Sequence, residues 1–261
     1  MKPPVKEDLS QVLPVPSESD GAIASGPSEQ EQLIVALDFP TATEALALVD
    51  RLENSCRWLK VGLELYYAAG NGLVETLRKR GFEVFLDLKL HDIPNTVAGA
   101  VRTVSATGAS LLTIHAGGGA AMMAAAAHAA DAPGAPKLLA VTVLTSMDST
   151  ELAGVGVTAN PQEQVLRLAK LARQSGINGM VCSAEEVQTL RTALGSEVTL
   201  VTPGIRATGE AAGDQRRVAT ATEAISRGAS MLVVGRPITR ATDPAAAARN
   251  ILAEIRKARS L

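Results

Sequence analysis

Aromatic side chains are scarce: the 261 residues include three phenylalanines, two tyrosines and one tryptophan. A stacking platform for single-stranded nucleic acid needs more rings than that. An excess of one charge is also lacking, with 25 Lys+Arg against 27 Asp+Glu and a net charge of -2. That balance carries no polyanion-binding footprint, so nucleic acid is not expected as a partner. The two cysteines, Cys56 and Cys182, are far apart and belong to no ligand-spaced cluster. Neither a zinc site nor a disulfide framework is expected, and both read as reduced, buried thiols. No apolar run reaches about 18 residues. The first residues also lack a basic segment followed by an apolar core and a cleavage site. The expectation is a cytoplasmic protein with no membrane partner.

What is present points to one sizeable core. Hydrophobic residues make up 46% and charged residues 20% of the chain, ordinary for a globular protein. Residues 1–30 are rich in Pro, Ser, Gly and acidic residues without apolar periodicity, which predicts a disordered N-terminal tail. The rest, 31–261, suits a single domain of the roughly 250-residue α/β barrel type. From Leu33 onward eight β-type runs recur: 33–39, 58–65, 84–90, 111–116, 137–144, 179–183, 199–205 and 231–238. Segments of helical period alternate with them at 41–53, 71–80, 95–107, 118–130, 161–174, 184–194, 217–227 and 243–258. Eight consecutive βα units favour a closed (β/α)8 TIM barrel over an open doubly wound sheet. Two connections, 145–160 and 206–216, are long, polar and glycine-containing, the character of loops that close over barrel sites.

Catalytic side chains in such barrels come from the C-terminal ends of strands. Those positions hold Asp38, Lys60, Asp87, Lys89 and, just beyond the third strand, Asp92. Alternation along the third strand puts Leu86, Leu88 and Leu90 on the helix-facing side and Asp87 and Lys89 on the inner side. Charge buried in a barrel mouth is costly without partners, and Lys60 and Asp38 on the preceding strands can provide them. One buried Asp/Lys pair would read equally well as scaffold; four alternating charges at strand ends read as a site. A second cluster suits phosphate. Gly235 and Arg236 follow the last strand, where glycine admits a ligand and a guanidinium grips phosphate oxygens. Arg206 and Gln215 lie on the preceding long loop, and Thr145 follows the fifth strand. Among the histidines, His91 and His115 read as structural, with Gly117, Gly118 and Gly119 either shaping the loop beside His115 or admitting a ligand, and His128 as a helix-surface residue. None has a metal-ligand companion at a recognisable spacing, and no metal or cofactor is expected.

The run Asp87-Leu88-Lys89-Leu90-His91-Asp92-Ile93-Pro94-Asn95-Thr96 closely resembles the signature of the orotidine 5′-phosphate decarboxylase family, Asp-x-Lys-x-x-Asp-Ile-x-x-Thr. Further stretches match in order: Ala36-Leu37-Asp38, Leu59-Lys60-Val61-Gly62, Val141 to Ser146, Val201 to Arg206, Asp214 to Val218 and Val234 to Ile238. The resemblance spans about residues 33 to 258 and implies a bacterial-type, cofactor-free decarboxylase of orotidine 5′-monophosphate in UMP biosynthesis. It implies that Asp38 and Lys60 hold the ribose hydroxyls, and that Asp87, Lys89 and Asp92 form a charged array at the reacting carbon. It implies that Thr145 meets the pyrimidine region and that Arg206, Gln215, Gly235 and Arg236 surround the phosphate. It also implies a homodimer in which Asp92, Ile93 and Thr96 serve the partner chain's site. Two alternatives stand beside it. One is a magnesium-dependent sugar-phosphate decarboxylase or aldolase of the same barrel type, with Glu64 at the end of the second strand and Asp87 as metal ligands. The Thr202-Pro203-Gly204-Ile205-Arg206 run and Gln215 speak against it. The other is a non-catalytic nucleotide-binding barrel, which would have no need of Lys89.

Overall fold

The computed structural model describes residues 28–206 and 218–260. Eight parallel strands close into a barrel in sequence order: β1 (Leu33–Ala36), β2 (Trp58–Gly62), β3 (Glu83–Leu90), β4 (Leu111–His115), β5 (Lys137–Val141), β6 (Gly179–Val181), β7 (Thr199–Thr202) and β8 (Met231–Val234). The ring is completed by β1 against β8, with Ile34 opposite Val233. The expected TIM barrel is therefore the observed fold.

Strand alternation sorts the core into two layers. Leu33, Val35, Leu59, Val61, Val84 and Leu86 face outward into the layer shared with the helices. Ile34, Ala36, Phe85, Leu111, Leu139, Val201, Met231 and Val233 fill the barrel interior. Burying a side chain of this kind stabilises the fold by about 1.5–3 kcal/mol, and both layers depend on strict parity. A strand slipped by one residue would turn its interior set into the helix layer.

Element ends differ from the sequence expectation where a local signal overrides the apolar pattern. The second strand stops at Gly62, and a helix begins at Leu63 and runs to Lys79, broken at Gly70, whose φ is 63°. Glu64 thus belongs to a helix's first turn and not to a strand end. The runs expected at 33–39, 137–144, 199–205 and 231–238 also stop early as strands, at Ala36, Val141, Thr202 and Val234; a short helix, Arg236–Thr239, already begins after Gly235. The helix at Pro161–Gln174 matches its expected bounds, because Asn160 and Glu163 form a reciprocal capping box with Pro161 at the first helical position. Within the long connection after β5, Asp148 and Glu151 cap a short helix, Ser149–Gly154, in the same way. The connection after β7 lies outside the described residues beyond Arg206, and so does Gln215.

At the base of the barrel, a helix at Glu29–Gln32 straddles the expected tail boundary. It is tied down by Arg57 and Arg256, which pair with Glu31 and Glu29 at 3.0 and 2.9 Å, and by Gln32 Nε2 donating to the Ser230 carbonyl at 3.2 Å. Residues 28–30 therefore pack with the barrel, while the tail expected over 1–27 lies outside the described residues.

Candidate active site

A cavity of about 250 Å³ opens at the C-terminal ends of the strands. Asp38, Lys60, Asp87, Lys89, Thr145, Arg206, Gly235 and Arg236 all line it. Parity explains the first three: Ala36 and Phe85 point into the barrel, so Asp38 and Asp87, two residues on from each, continue that inner face, and Lys60 alternates with the outward Leu59 and Val61.

The charges form a continuous chain. Lys60 Nζ lies 3.0 Å from Asp38 Oδ1 and 3.7 Å from Asp87 Oδ2. Lys89 Nζ donates to both oxygens of Asp87 at 2.9 Å. Lys60 is 8% exposed as a residue, and the Asp87 side chain is 14% exposed, whereas the Asp38 side chain is 61% exposed. The cluster thus runs from an open rim to a covered interior. Burial alone would raise the Asp87 pKa, but attraction to Lys60 and Lys89, with hydrogen bonds from Lys89 and Thr113, outweighs burial and holds the carboxyl below its ordinary value. Asp87 is an anion flanked by two ammonium groups. Gly62 leaves room for this arrangement, since a Cβ there would press on Lys60 Nζ at 3.0 Å.

The third strand is less regular than its alternation suggested. Leu86 pairs with Leu112 but Leu90 pairs with Ile114, so three residues of β3 stand against one of β4. Lys89, at the end of this bulge, has φ 50°, a left-handed backbone unusual for a side chain with a Cβ. Bulges re-aim side chains next to active sites. Here Asp87 and Lys89 still share the mouth, with Leu88 and Leu90 packed against the helix-side core.

Asp92, Ile93 and Thr96 do not line the cavity. They lie on an exposed run, 91–96, that leads into the helix at Pro94–Ser105. Asp92 Oδ1 accepts from the Ile93 amide at 2.6 Å, and Ile93 is 67% exposed. His91 stacks on His115 with ring centroids 5.2 Å apart. Burial, then the neighbouring His91 and Lys89, lowers the His115 pKa. The glycines after His115 make space for this stack: a side chain at Gly118 would collide with Met122 and crowd the His91 ring. His128 is on the helix surface, as expected.

Sequence reasoning missed two parts of the site. One is Thr113, fully buried, whose hydroxyl contacts both Asp87 and Lys89. Its inward parity with Leu111 was readable, but a threonine in an apolar strand looks like an ordinary β-former. The other is an apolar wall of Val141, Val143, Val181 and Pro203 across from the charges, a feature that needs the closed barrel to be seen. Glu64, considered as a metal ligand, is exposed and does not line the cavity. Among the described residues no group of three or more His, Cys, Asp or Glu is placed to hold a metal ion, and no helix is long and apolar enough to cross a membrane.

The same chain is similar to known proteins over nearly all of this barrel. The orotidine 5′-phosphate decarboxylase / HUMPS family model matches residues 31–251. An orotidine 5′-phosphate decarboxylase of Photobacterium profundum is 53% identical over 227 residues, covering 86% of this chain and 96% of that one. The protein of the same name from Chromobacterium violaceum is 53% identical over 236 residues, covering 89% and 95%. The crystal structure of orotidine 5′-phosphate decarboxylase from Lactobacillus acidophilus superposes with a TM-score of 0.78 at 39% identity, over 86% of this chain and 99% of that one. Barrel, charged mouth and similarity agree: the chain belongs to the orotidine 5′-phosphate decarboxylase / HUMPS family.

Proposed function

We propose that the chain is a carboxy-lyase that converts orotidine 5′-phosphate to uridine 5′-monophosphate and CO2, a step of pyrimidine biosynthesis. The observation that carries this reading is the unbroken Asp38–Lys60–Asp87–Lys89 charge chain at the strand ends, with Arg206 and Arg236 lining the same cavity. Loss of CO2 from the pyrimidine C6 leaves an electron pair in an sp2 orbital outside the ring π system. Catalysis therefore requires charge placed in advance where that pair develops.

Lys89 supplies the ammonium. Fixed against Asp87, it stabilises the carbanion and then donates the proton that takes the place of CO2. Asp87 orients Lys89 and faces the departing carboxylate, while Lys60 and Asp38 hold the ribose hydroxyls. Thr145 contacts the pyrimidine, the apolar wall covers the ring's far side, and Gly235, Arg236, Arg206 and Gln215 bind the phosphate. Binding energy from that remote group acts at the reacting centre by fixing the substrate's position.

The active unit is a homodimer in this reading. Six successive residues, 91–96, are exposed in the single chain, including Ile93, and a second copy covering them would bring Asp92, Ile93 and Thr96 to its own mouth. A two-fold dimer does this reciprocally, giving two shared sites.

The test is a spectrophotometric assay that follows loss of the orotidine chromophore before and after exhaustive chelation. Equal decarboxylation in both conditions is expected. Activity lost on chelation and restored by magnesium would overturn the proposed mechanism in favour of a metal-dependent relative.

A further inference from the structure

We infer that Thr113 is a positioning residue for the reaction, its single hydroxyl fixing both Asp87 and the backbone of Lys89. The inference rests on the decarboxylase reading and adds a group from β4, which that reading leaves without a role.

The β3 bulge creates the need. Between the paired positions Leu86/Leu112 and Leu90/Ile114, Asp87, Leu88 and Lys89 face Thr113 alone. Three residues cannot all be served by one residue's backbone, so the strand ladder is interrupted where the site's central charges sit. The Lys89 amide donates instead to Thr113 Oγ1 at 2.8 Å. The same hydroxyl donates to Asp87 Oδ1 at 2.9 Å. A threonine hydroxyl has one proton to give and lone pairs to accept, and the bulge uses both capacities.

Two further observations separate this from a threonine that merely packs. Thr113 has 0% exposure, and the nearby inward side chains of its own strand and the next, Leu111 and Leu139, are apolar, so packing on that side asks for no hydroxyl. Lys89 holds a left-handed backbone, φ 50°, which a lysine adopts only when surrounding contacts over-determine it. The hydroxyl bond to its amide is such a contact. Asp87 in turn takes both hydrogen bonds from Lys89 Nζ at 2.9 Å. One hydroxyl thus sets the start of the Lys89 side chain through its amide and the end of it through Asp87. Losing it frees the ammonium to drift from the position where the carbanion forms, with ribose and phosphate contacts left intact.

The experiment assays orotidine 5′-phosphate decarboxylation by full-length wild type and by Thr113→Val, Thr113→Ala and Thr113→Ser, with melting curves to confirm folding. Thr113→Val and Thr113→Ala are expected to lower kcat by about a hundredfold while KM stays near wild type, the signature of a misplaced reacting group. Thr113→Ser, which keeps the hydroxyl, is expected to retain most of the rate. Thr113 is the smallest of the contacts that hold the Asp87 carboxyl below its ordinary value, so an acid limb of the kcat profile set by Asp87 is expected to move only slightly, and toward higher pH, in the two variants lacking the hydroxyl. Thr113→Ala adds no methyl against the Asp87 carboxylate and carries the test if Thr113→Val does not fold. Wild-type kcat in the variants lacking the hydroxyl, a loss confined to KM, or equal damage from Thr113→Ser overturns the inference alone. An inactive wild type would overturn the decarboxylase reading together with it.

Discussion

The two mouths of the barrel are built from the same eight strands and hold opposite kinds of space. The N-terminal mouth has the larger cavity, about 470 Å³, floored by Trp58, Leu111, Leu139 and Met231. Its charged lining residues, Asp131, Lys137 and Glu197, are all exposed at the rim. The C-terminal mouth has about 250 Å³, yet two ammonium groups and a carboxylate meet deep within it. Volume alone would choose the other end. Desolvating a charge is costly, so the smaller cavity, which bears that cost and gives each of these charges a neighbour, is the one to which we assign the chemistry.

Breaking the charged mouth should have the largest effect. Lys89→Ala is expected to abolish decarboxylation while substrate still binds, since the role proposed for its ammonium is to stabilise the carbanion. Asp92→Ala should be inactive as well, from the partner's side. Mixing the two inactive proteins should restore activity, because a mixed dimer has one site with both defects and one with neither. With random exchange at equal amounts, about a quarter of wild-type activity per total site is expected. No recovery, with subunit exchange verified by native mass spectrometry, would place Asp92 in its own chain's site.

A smaller effect is expected on the side of the same mouth where we place the phosphate. Arg236→Ala should raise KM by roughly tenfold to a hundredfold through lost charge-assisted hydrogen bonds, with kcat less affected. A variant impaired only in kcat would show that Arg236 acts at the reacting centre. The smallest effect sharpens the contrast from the other end. Lys137→Ala and Glu197→Gln, on the N-terminal rim, should leave kcat, KM and melting temperature close to wild type, as exposed substitutions usually do. A clear loss of activity in either would give the larger cavity a function.

The contrast also explains what the sequence made legible. Strands of a parallel barrel are covered on both faces and read as apolar runs, so all eight were visible, and polar interruptions near their ends marked Asp38, Lys60, Asp87 and Lys89. Strand ends were less visible. The apolar letters of Leu63 and Leu65 continue the β2 pattern to the end of the expected run, while with Tyr66 their spacing also suits a helix, and the helix prevails. The β3 bulge was hidden because Leu86, Leu88 and Leu90 keep a period of two through it. The role of Thr113 was hidden for the same reason, since a hydroxyl is diagnostic only when the backbone it serves is known to leave its ladder.

The most direct test of the charged mouth as the active site is a crystal structure of the full chain with uridine 5′-monophosphate, the product. The pyrimidine is expected against Lys89 and the apolar wall, the ribose hydroxyls at Asp38 and Lys60, and the phosphate at Gly235 and Arg236. Nucleotide bound instead at the N-terminal mouth, beside Trp58 and Met231, would contradict this assignment.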